Sequence, residues 1–365
     1  MPNWDFRQIA TKEGGKADLV ELSSERRERI PRYVDALSTA LASQVADPRF
    51  SNYHVLESLG TSEHPPVPGG NIEYGFCQAL HAEEAAVAAL RARYGRFDWS
   101  PPHPKLGRRM TSTNEDMVLG IIAGAPGNIA TPCGNCRDIM MSDLGWEFEI
   151  VSGAKDGGVA VVASMADYLF EHPRQTQAAA YDWLTFARWE EQVVEAVLEC
   201  GKLENNAYMP PNYLHPGRAY YAVIETRKAK YFGAHDVMCE YHPIYALRDA
   251  VRQARRANDP FVESVRIVAE WGGGSDYPPH VMYKDRQHLA ELVVQAELLS
   301  GRECDPDVFL MTYDGEHFRR TKKIVHRATW TTSAKEWIPF VFTPKNFGPE
   351  FVEHLTAYYK SKGRR

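Results

Sequence analysis

The amino-acid sequence predicts an α/β fold: a layered domain with a mixed or parallel central sheet, followed by a second unit of the same pattern. Three observations predict it. Short apolar runs bounded by turn residues alternate with segments of helical periodicity. The 365 residues exceed one ordinary core and suit two domains of roughly 150 residues each. The second half runs through the element order of the first, with short echoes: AVAALRAR against YALRDAVRQ, and GWEFEIVSG against DPDVFLMTY.

Residues 24–46 read as a helix, with Val34, Leu37, Ala40, Leu41 and Val45 at helical spacing. YHVLESLGTS reads as a strand and HPPVPGGN as a turn, by its Pro and Gly content. HAEEAAVAALRARYG is rich in helix formers and stops at Gly95. MVLGIIAGA is a continuous apolar run, typical of a strand buried on both faces. CGNCRDIMMSDLG reads as a helix stopped at Gly145, and WEFEIVSG and VAVVASM as two strands. Residues 181–204 form one long helix, and the Pro-rich NNAYMPPNYLHPG follows as a linker. Beyond it come the strand AYYAVIET, the helix EYHPIYALRDAVRQARR, the strand ESVRIVAEW, the helix KDRQHLAELVVQAEL and the strand PDVFLMTY. The expected division is an N-terminal extension (1–30), a first domain (31–180), a helix and linker (181–215) and a second domain (216–365).

Composition excludes several classes. Hydrophobic content is 44% and charged content 25%, as in soluble globular chains. No run of 18 apolar residues occurs, so no membrane association is expected. The polar N-terminus lacks a secretory stretch, which makes cytoplasmic the expected location. A net charge of −6 argues against nucleic acid as partner. The clusters RRERIPR and RQARRAN read as solvated helix faces, and KSKGRR as a frayed terminus. Six cysteines are too few for a disulfide scaffold.

TPCGNCRDIM places Cys133 and Cys136 three apart at a helix start. A disulfide, a redox pair, half of a metal site and core packing are all open for such a pair. Upstream, His81 and Glu83 open another helix. An imidazole and two thiolates form a three-ligand set for zinc and leave a fourth position for water, as a catalytic site requires. Helix N-termini favour the thiolate form. Zinc brings the pKa of water in that position from about 15.7 to roughly 7. Glu83, two residues from His81, is placed to shuttle protons. Cys77 reads as a buried small hydrophobe, and Arg137 as either a donor to a zinc thiolate or one half of a surface ion pair.

The order H-x-E then P-C-x-x-C is the pattern of zinc nucleobase deaminases. FSNYHV, GGNIE, HAEE and TPCGNCRD follow in the order seen in free-nucleoside cytidine deaminases, so residues 30–170 resemble that family. The second half resembles the degenerate repeat of its tandem, dimeric members. The resemblance implies a cytidine-deaminase-like three-layer α-β-α sandwich with a mixed central sheet, duplicated in tandem. It implies zinc on His81, Cys133 and Cys136, and proton transfer by Glu83. Asn71 and Glu73 would hold ribose hydroxyls, and Tyr53 would lie against the pyrimidine. Ala82 and Pro132, at the two helix starts, complete the implied substrate contacts. The implied activity is hydrolytic deamination of a cytidine-like nucleoside by a homodimer; another cyclic amidine or a modified nucleoside is the alternative. A polynucleotide editor and a binding scaffold with a vestigial site are the rival classes.

Three features depart from the family. The 52 residues from His81 to Cys133 include an insertion over 97–116, read as a lid or as inert surface. YGFCQAL replaces the usual segment between NIE and HAE, which bears on ribose and base specificity. The second half lacks the motif and offers only Cys239, His242 and His280 as metal-capable types, so no second zinc is expected there.

Overall fold

The computed structural model describes residues 2–11, 17–43, 45–49, 51, 53–75, 78–94, 99–102, 109–111, 117–123, 129–144, 148–168, 174–176, 183–203, 220–235, 244–271, 279, 281–338, 343–347 and 349–362. The chain divides into two compact units, Met1–Leu169 with Pro339–Phe351, and Phe170–Ile338 with Val352–Arg365.

The first unit runs β1 (Trp4–Thr11), β2 (Ala17–Glu21), α1 (Ser24–Glu28), α2 (Ile30–Ala42), β3 (Val55–Gly60), β4 (Val67–Gly70), β5 (Ile72–Gly75), β6 (Gln78–Leu80), α3 (Ala82–Tyr94), β7 (Trp99–Pro102), β8 (Arg109–Thr111), β9 (Val118–Ala123), α4 (Gly134–Asp143), β10 (Glu149–Ala154), β11 (Gly158–Ser164) and α5 (Met165–Tyr168). Its main sheet has the order β2-β1-β11-β10-β9-β3-β4 and is mixed: β1 with β11 and β9 with β10 are parallel, the other pairs antiparallel. Residues 4–11 and 17–21, inside the 1–30 segment read from the sequence as an extension, are two strands of this sheet. Trp4 is buried there and gives its indole N–H to Ala154 O at 3.0 Å.

The single helix expected over 24–46 is two. Pro31 lacks an N–H and crowds the residue before it, so the chain breaks at Arg29 (φ −89°, ψ −2°) and restarts with the proline in the first turn. Arg26 and Arg29 are also more than a solvated face. They reach Glu149 at 2.9 and 3.2 Å, and Tyr33 donates to the same carboxylate at 2.6 Å. HPPVPGGN, expected as a turn, contains β4. Its Pro68 is tolerated because β4 is the last strand of the sheet and pairs only with β3.

Both faces of β3 are covered. Ser58 points to the side of α2, whose Ala36 O accepts its hydroxyl at 2.7 Å. On that side α2 buries Tyr33, Ala36, Leu37 and Ala40 with Leu56, Val118 and Ile122. Glu57 points the other way and pairs with Gly69 of β4. α3 docks on that second face because Gly69 has no side chain: a Cβ there would strike Ala82 O and Ala86 N.

The second unit runs β12 (Arg174–Thr176), α6 (Trp183–Gly201), β13 (Tyr220–Thr226), β14 (Lys230–Gly233), α7 (Ala246–Arg256), β15 (Val262–Glu270), α8 (Tyr283–Ser300), β16 (Asp307–Tyr313), α9 (Gly315–Thr321), β17 (His326–Ser333) and α10 (Ala334–Trp337), with α11 (Pro349–Lys362) further along. The sheet order is β12-β17-β16-β15-β13-β14. Its run β14-β13-β15-β16-β17 has the same order and strand senses as β4-β3-β9-β10-β11. α6, expected as a separate helix before the linker, packs Trp189, Val193, Ala196 and Cys200 with Val223, Val268 and Met311 of this sheet. The linker itself lies outside the described residues, as do Cys77, Cys239, His242 and His280. Of the 97–116 insertion, the described parts are β7 and β8, an antiparallel pair.

Candidate metal centre

Two helix starts meet on the α3 side of the sheet. His81 immediately precedes α3, and its carbonyl accepts from Ala85 N at 3.0 Å as an N-cap residue does. Glu84 reaches back to His81 N at 2.9 Å, the acidic half of a capping box. Cys133 is the N-cap of α4, in extended conformation (φ −69°, ψ 168°), and Cys136 lies one turn on. Asn135 Nδ2 donates to Glu84 Oε1 at 3.0 Å and ties the two helix starts together.

This frame brings the three ligand-type side chains to one point. His81 Nδ1 is 3.4 Å from Cys133 Sγ and 3.4 Å from Cys136 Sγ, and the sulfurs are 3.3 Å apart. A disulfide is therefore not formed, since its sulfurs would stand about 2.05 Å apart. Among the described residues this is the cluster able to hold a metal ion. Tetrahedral zinc, with bonds of about 2.3 Å to sulfur and 2.0–2.1 Å to nitrogen, needs ligand separations of about 3.5–3.8 Å. The observed triangle meets that with shifts of a few tenths of an ångström, and two thiolates with an imidazole are a donor set zinc favours.

The electrostatics are those of a proton-loaded ligand set. A hydrogen bond from Cys136 holds the Cys133 thiol well below its usual range, against burial. Burial pushes Cys136 well above it. The hydrogen bond to Cys133 takes His81 up to about 9. A divalent cation binding here has to displace those protons, so its affinity rises with pH. Burial, then the negative charge of Cys133, pushes Glu83 up to about 7.

A cavity of about 180 Å³ opens beside the triad, lined by Tyr53, Asn71, Glu73, Ala82 and Glu83 together with His81 and Cys133. By comparison, an apolar cavity of about 150 Å³ takes up a benzene ring, so a single heterocycle fits. Tyr53 is buried, and burial pushes its hydroxyl up to about 12. Asn71 and Glu73 reach the cavity wall but are engaged elsewhere. Asn71 Oδ1 accepts from Val55 N at 2.9 Å and its Nδ2 donates to Tyr53 O at 2.7 Å. Glu73 accepts from Ser51 N at 2.9 Å and from Ser51 Oγ at 2.5 Å. Pro132, expected among the substrate contacts, is not in the wall; Ala130, Thr131 and Cys133 take that side. The Pro132 carbonyl instead accepts from Arg137 Nε at 2.9 Å. Arg137 is fully buried, which replaces the surface ion pair considered from sequence with a brace under the cysteine turn.

Sequence reasoning missed Ser51, Val55, Ala79, Leu80, Ala130 and Thr131 in the wall, and it missed Glu57 behind it. Glu57 is fully buried on the α3 face, against Glu83. The signal for it was the one charged residue in the strand VLESLG.

No family model matches the chain, and no curated protein does either. Solved structures of cytidine deaminases show a distant likeness. The enzyme from Burkholderia pseudomallei is 20% identical, over 38% of this chain and 94% of that one, with a TM-score of 0.30. The enzyme from Mycobacterium leprae is 23% identical, over 36% and 91%, with a TM-score of 0.26. The enzyme from Mycobacterium tuberculosis is 25% identical, over 32% and 80%, with a TM-score of 0.24. At such TM-scores the likeness carries no weight of its own, and the functional reading rests on the geometry of the site.

Proposed function

We propose that the protein is a zinc-dependent hydrolase that removes an exocyclic amine from a cytosine-like ring as ammonia. The observation that carries the reading is the junction of His81, Cys133 and Cys136 at 3.3–3.4 Å, with Glu83 in the wall of the same cavity. These three residues hold the zinc, which when bound supplies the Lewis acidity that makes water a nucleophile at neutral pH.

Glu83 is the proton carrier. A carboxyl poised near 7 accepts and gives a proton with similar ease at neutral pH. It takes a proton from the attacking water and delivers it to the ring nitrogen, N3 in cytidine. It then delivers the second water proton to the departing amine. Water is consumed, the carbonyl product and ammonia leave, and Glu83 returns to its starting state. Tyr53 and the apolar wall of Ala79, Leu80 and Ala82 hold the flat ring and exclude bulk water.

The substrate class is a cytidine-like nucleoside. A second reading, a different cyclic amidine or a modified nucleoside, is favoured by one observation: Asn71 and Glu73, the implied ribose grip, are occupied by Tyr53, Val55 and Ser51. The chain is further read as a tandem duplication acting as a homodimer. The shared order β4-β3-β9-β10-β11 and β14-β13-β15-β16-β17 supports the duplication.

The test is ammonia release from a panel of free bases, nucleosides and other cyclic amidines by zinc-loaded protein, with cytidine followed by its ultraviolet shift. Turnover of cytidine or deoxycytidine supports the first reading. Turnover of another amidine alone selects the second. Ammonia from none of them, with zinc at one equivalent per chain, removes both.

A further inference from the structure

We propose that Asn135 is a positioning residue for the metal centre: its side-chain amide holds the carboxylate of Glu84 and so fixes the distance between the helix start that carries His81 and the one that carries Cys133 and Cys136. This rests on the reading of the triad as a zinc site and adds what sets its dimensions.

His81 and Cys133 stand 52 positions apart in the chain. A connection of that length leaves the separation of its ends open. A working metal site does not: its ligands have to be held within about 0.5 Å of the productive geometry by side chains around them. The triad therefore needs a link between the start of α3 and the start of α4.

Glu84 spans that gap with both of its oxygens. Oε2 accepts from the backbone N–H of His81 at 2.9 Å, and Oε1 accepts from Asn135 Nδ2 at 3.0 Å. Asn135 lies between the two cysteines in the first turn of α4, a turn closed by Arg137 N donating to Cys133 O at 2.9 Å. One carboxylate thus grips the backbone of one ligand residue and the turn that carries the other two. A hydrogen bond to an ionised acceptor is roughly twice as strong as a neutral one, and both side chains are half-buried. Direct roles do not fit the pair: neither residue belongs to the metal-capable cluster, and neither lines the cavity. Its effect on the metal is through spacing. Without the link the two helix starts are free to separate, and part of the metal's binding free energy goes into drawing them together.

The test is a double-mutant cycle on zinc affinity, measured on the full chain by competition with a chelator. Asn135→Ala and Glu84→Ala are each expected to weaken zinc binding about 10-fold or more. The double variant is expected to fall no more than about threefold below Glu84→Ala, because the link is already lost there. Asn135→Gln keeps the amide on a longer stem and is expected to bind zinc within about threefold of the parent. Cobalt(II) in place of zinc gives a readout apart from affinity: its visible bands are expected to shift in Asn135→Ala and to match the parent in Asn135→Gln. Parent-like zinc affinity in Asn135→Ala, or losses that multiply in the double variant, overturn the proposal. If Asn135→Ala fails to fold, Asn135→Ser, whose hydroxyl falls short of Glu84, takes its place in the cycle. None of these readouts needs turnover. A parent that binds zinc and deaminates nothing ends the functional reading and leaves the cycle to decide this one; a parent that binds no zinc ends both.

Discussion

The start of α3 and α4 in the first unit and the start of α7 and α8 in the second are built on one frame and filled with different chemistry. In each, a glycine of the edge strand lets a helix dock: a Cβ on Gly69 would meet Ala82 O and Ala86 N, and one on Gly233 would meet Ala246 O and Ala250 N. An arginine one turn into the next helix braces the turn before it, Arg137 Nε to Pro132 O at 2.9 Å and Arg286 Nε to Val281 O at 3.0 Å. A side chain just past the edge strand accepts from the first backbone N–H of the neighbouring strand, Asn71 from Val55 and His235 from Tyr220. By helix position, Tyr245, Leu247, Met282 and Asp285 stand where His81, Glu83, Cys133 and Cys136 stand. Asp285 is fully buried with Arg248 Nε 2.9 Å away, off the line of a good hydrogen bond, and burial holds its carboxyl above the usual range despite that cation. Among the described residues the second junction carries no metal-ligand set, so on this frame the chemistry follows the four side chains placed at the helix starts.

The sharpest test of this contrast is Glu83→Gln, expected to keep zinc and lose kcat by about 10²- to 10⁴-fold. Unchanged turnover would remove Glu83 from the mechanism and leave the two junctions chemically alike. Next in size is Asp285→Ala in the second unit. It strands a partly buried Arg248 and is expected to cost about 3 kcal/mol in denaturant unfolding, with zinc content and turnover kept. Replacing both partners by apolar residues should restore most of that loss, and loss of zinc in either variant would show that the second junction is not independent of the first.

Acid sensitivity separates the units further. Burial pulls His235 and His326 down to about 4, so both stay neutral in the folded chain while the unfolded chain protonates them near the ordinary value of 6.5. The unfolded state then binds more protons between those values. Stability is full above about 6.5 and lost as pH falls toward 4, by roughly 2 kcal/mol at pH 5 from His235. His235→Asn, which supplies an acceptor as Asn71 does, should remove that share of the pH 7-to-5 difference. An unaltered difference would mean that His235 is not the group responsible. The finest comparison is the pair Gly69→Ala and Gly233→Ala. Each is expected to destabilise by about 1–3 kcal/mol through backbone crowding, but Gly69→Ala alone should weaken zinc binding, read by competition with a chelator. Equal zinc affinity in the two would show that α3 docking does not set the triad.

Much of the candidate site was legible because its signals are local. HAEE and CGNC each open a helix, and capping preferences and helix propensity act over a few residues. The strands around them were legible as apolar runs. β1 was not, because WDFRQIAT alternates with charged and polar residues as a strand near a sheet edge does, and it joins its partner β11 from across the unit. Asn71 was read as a ligand grip because an amide before HAEE has that chemistry. The structure shows both ends of it bound to backbone, a use that depends on where Tyr53 and Val55 lie in space.

Residue order alone determined which side chains are available, that two pairs of them sit at helix starts, and that the second half runs through the same elements without them. Those properties follow from short-range preferences written into each segment. Tertiary structure decided that His81 crosses 52 residues to meet Cys133, that Arg137 turns inward to a carbonyl, and that Glu57 lies against Glu83. Strand register and helix docking make those contacts through space, and no local propensity encodes a distance between segments so far apart in the chain.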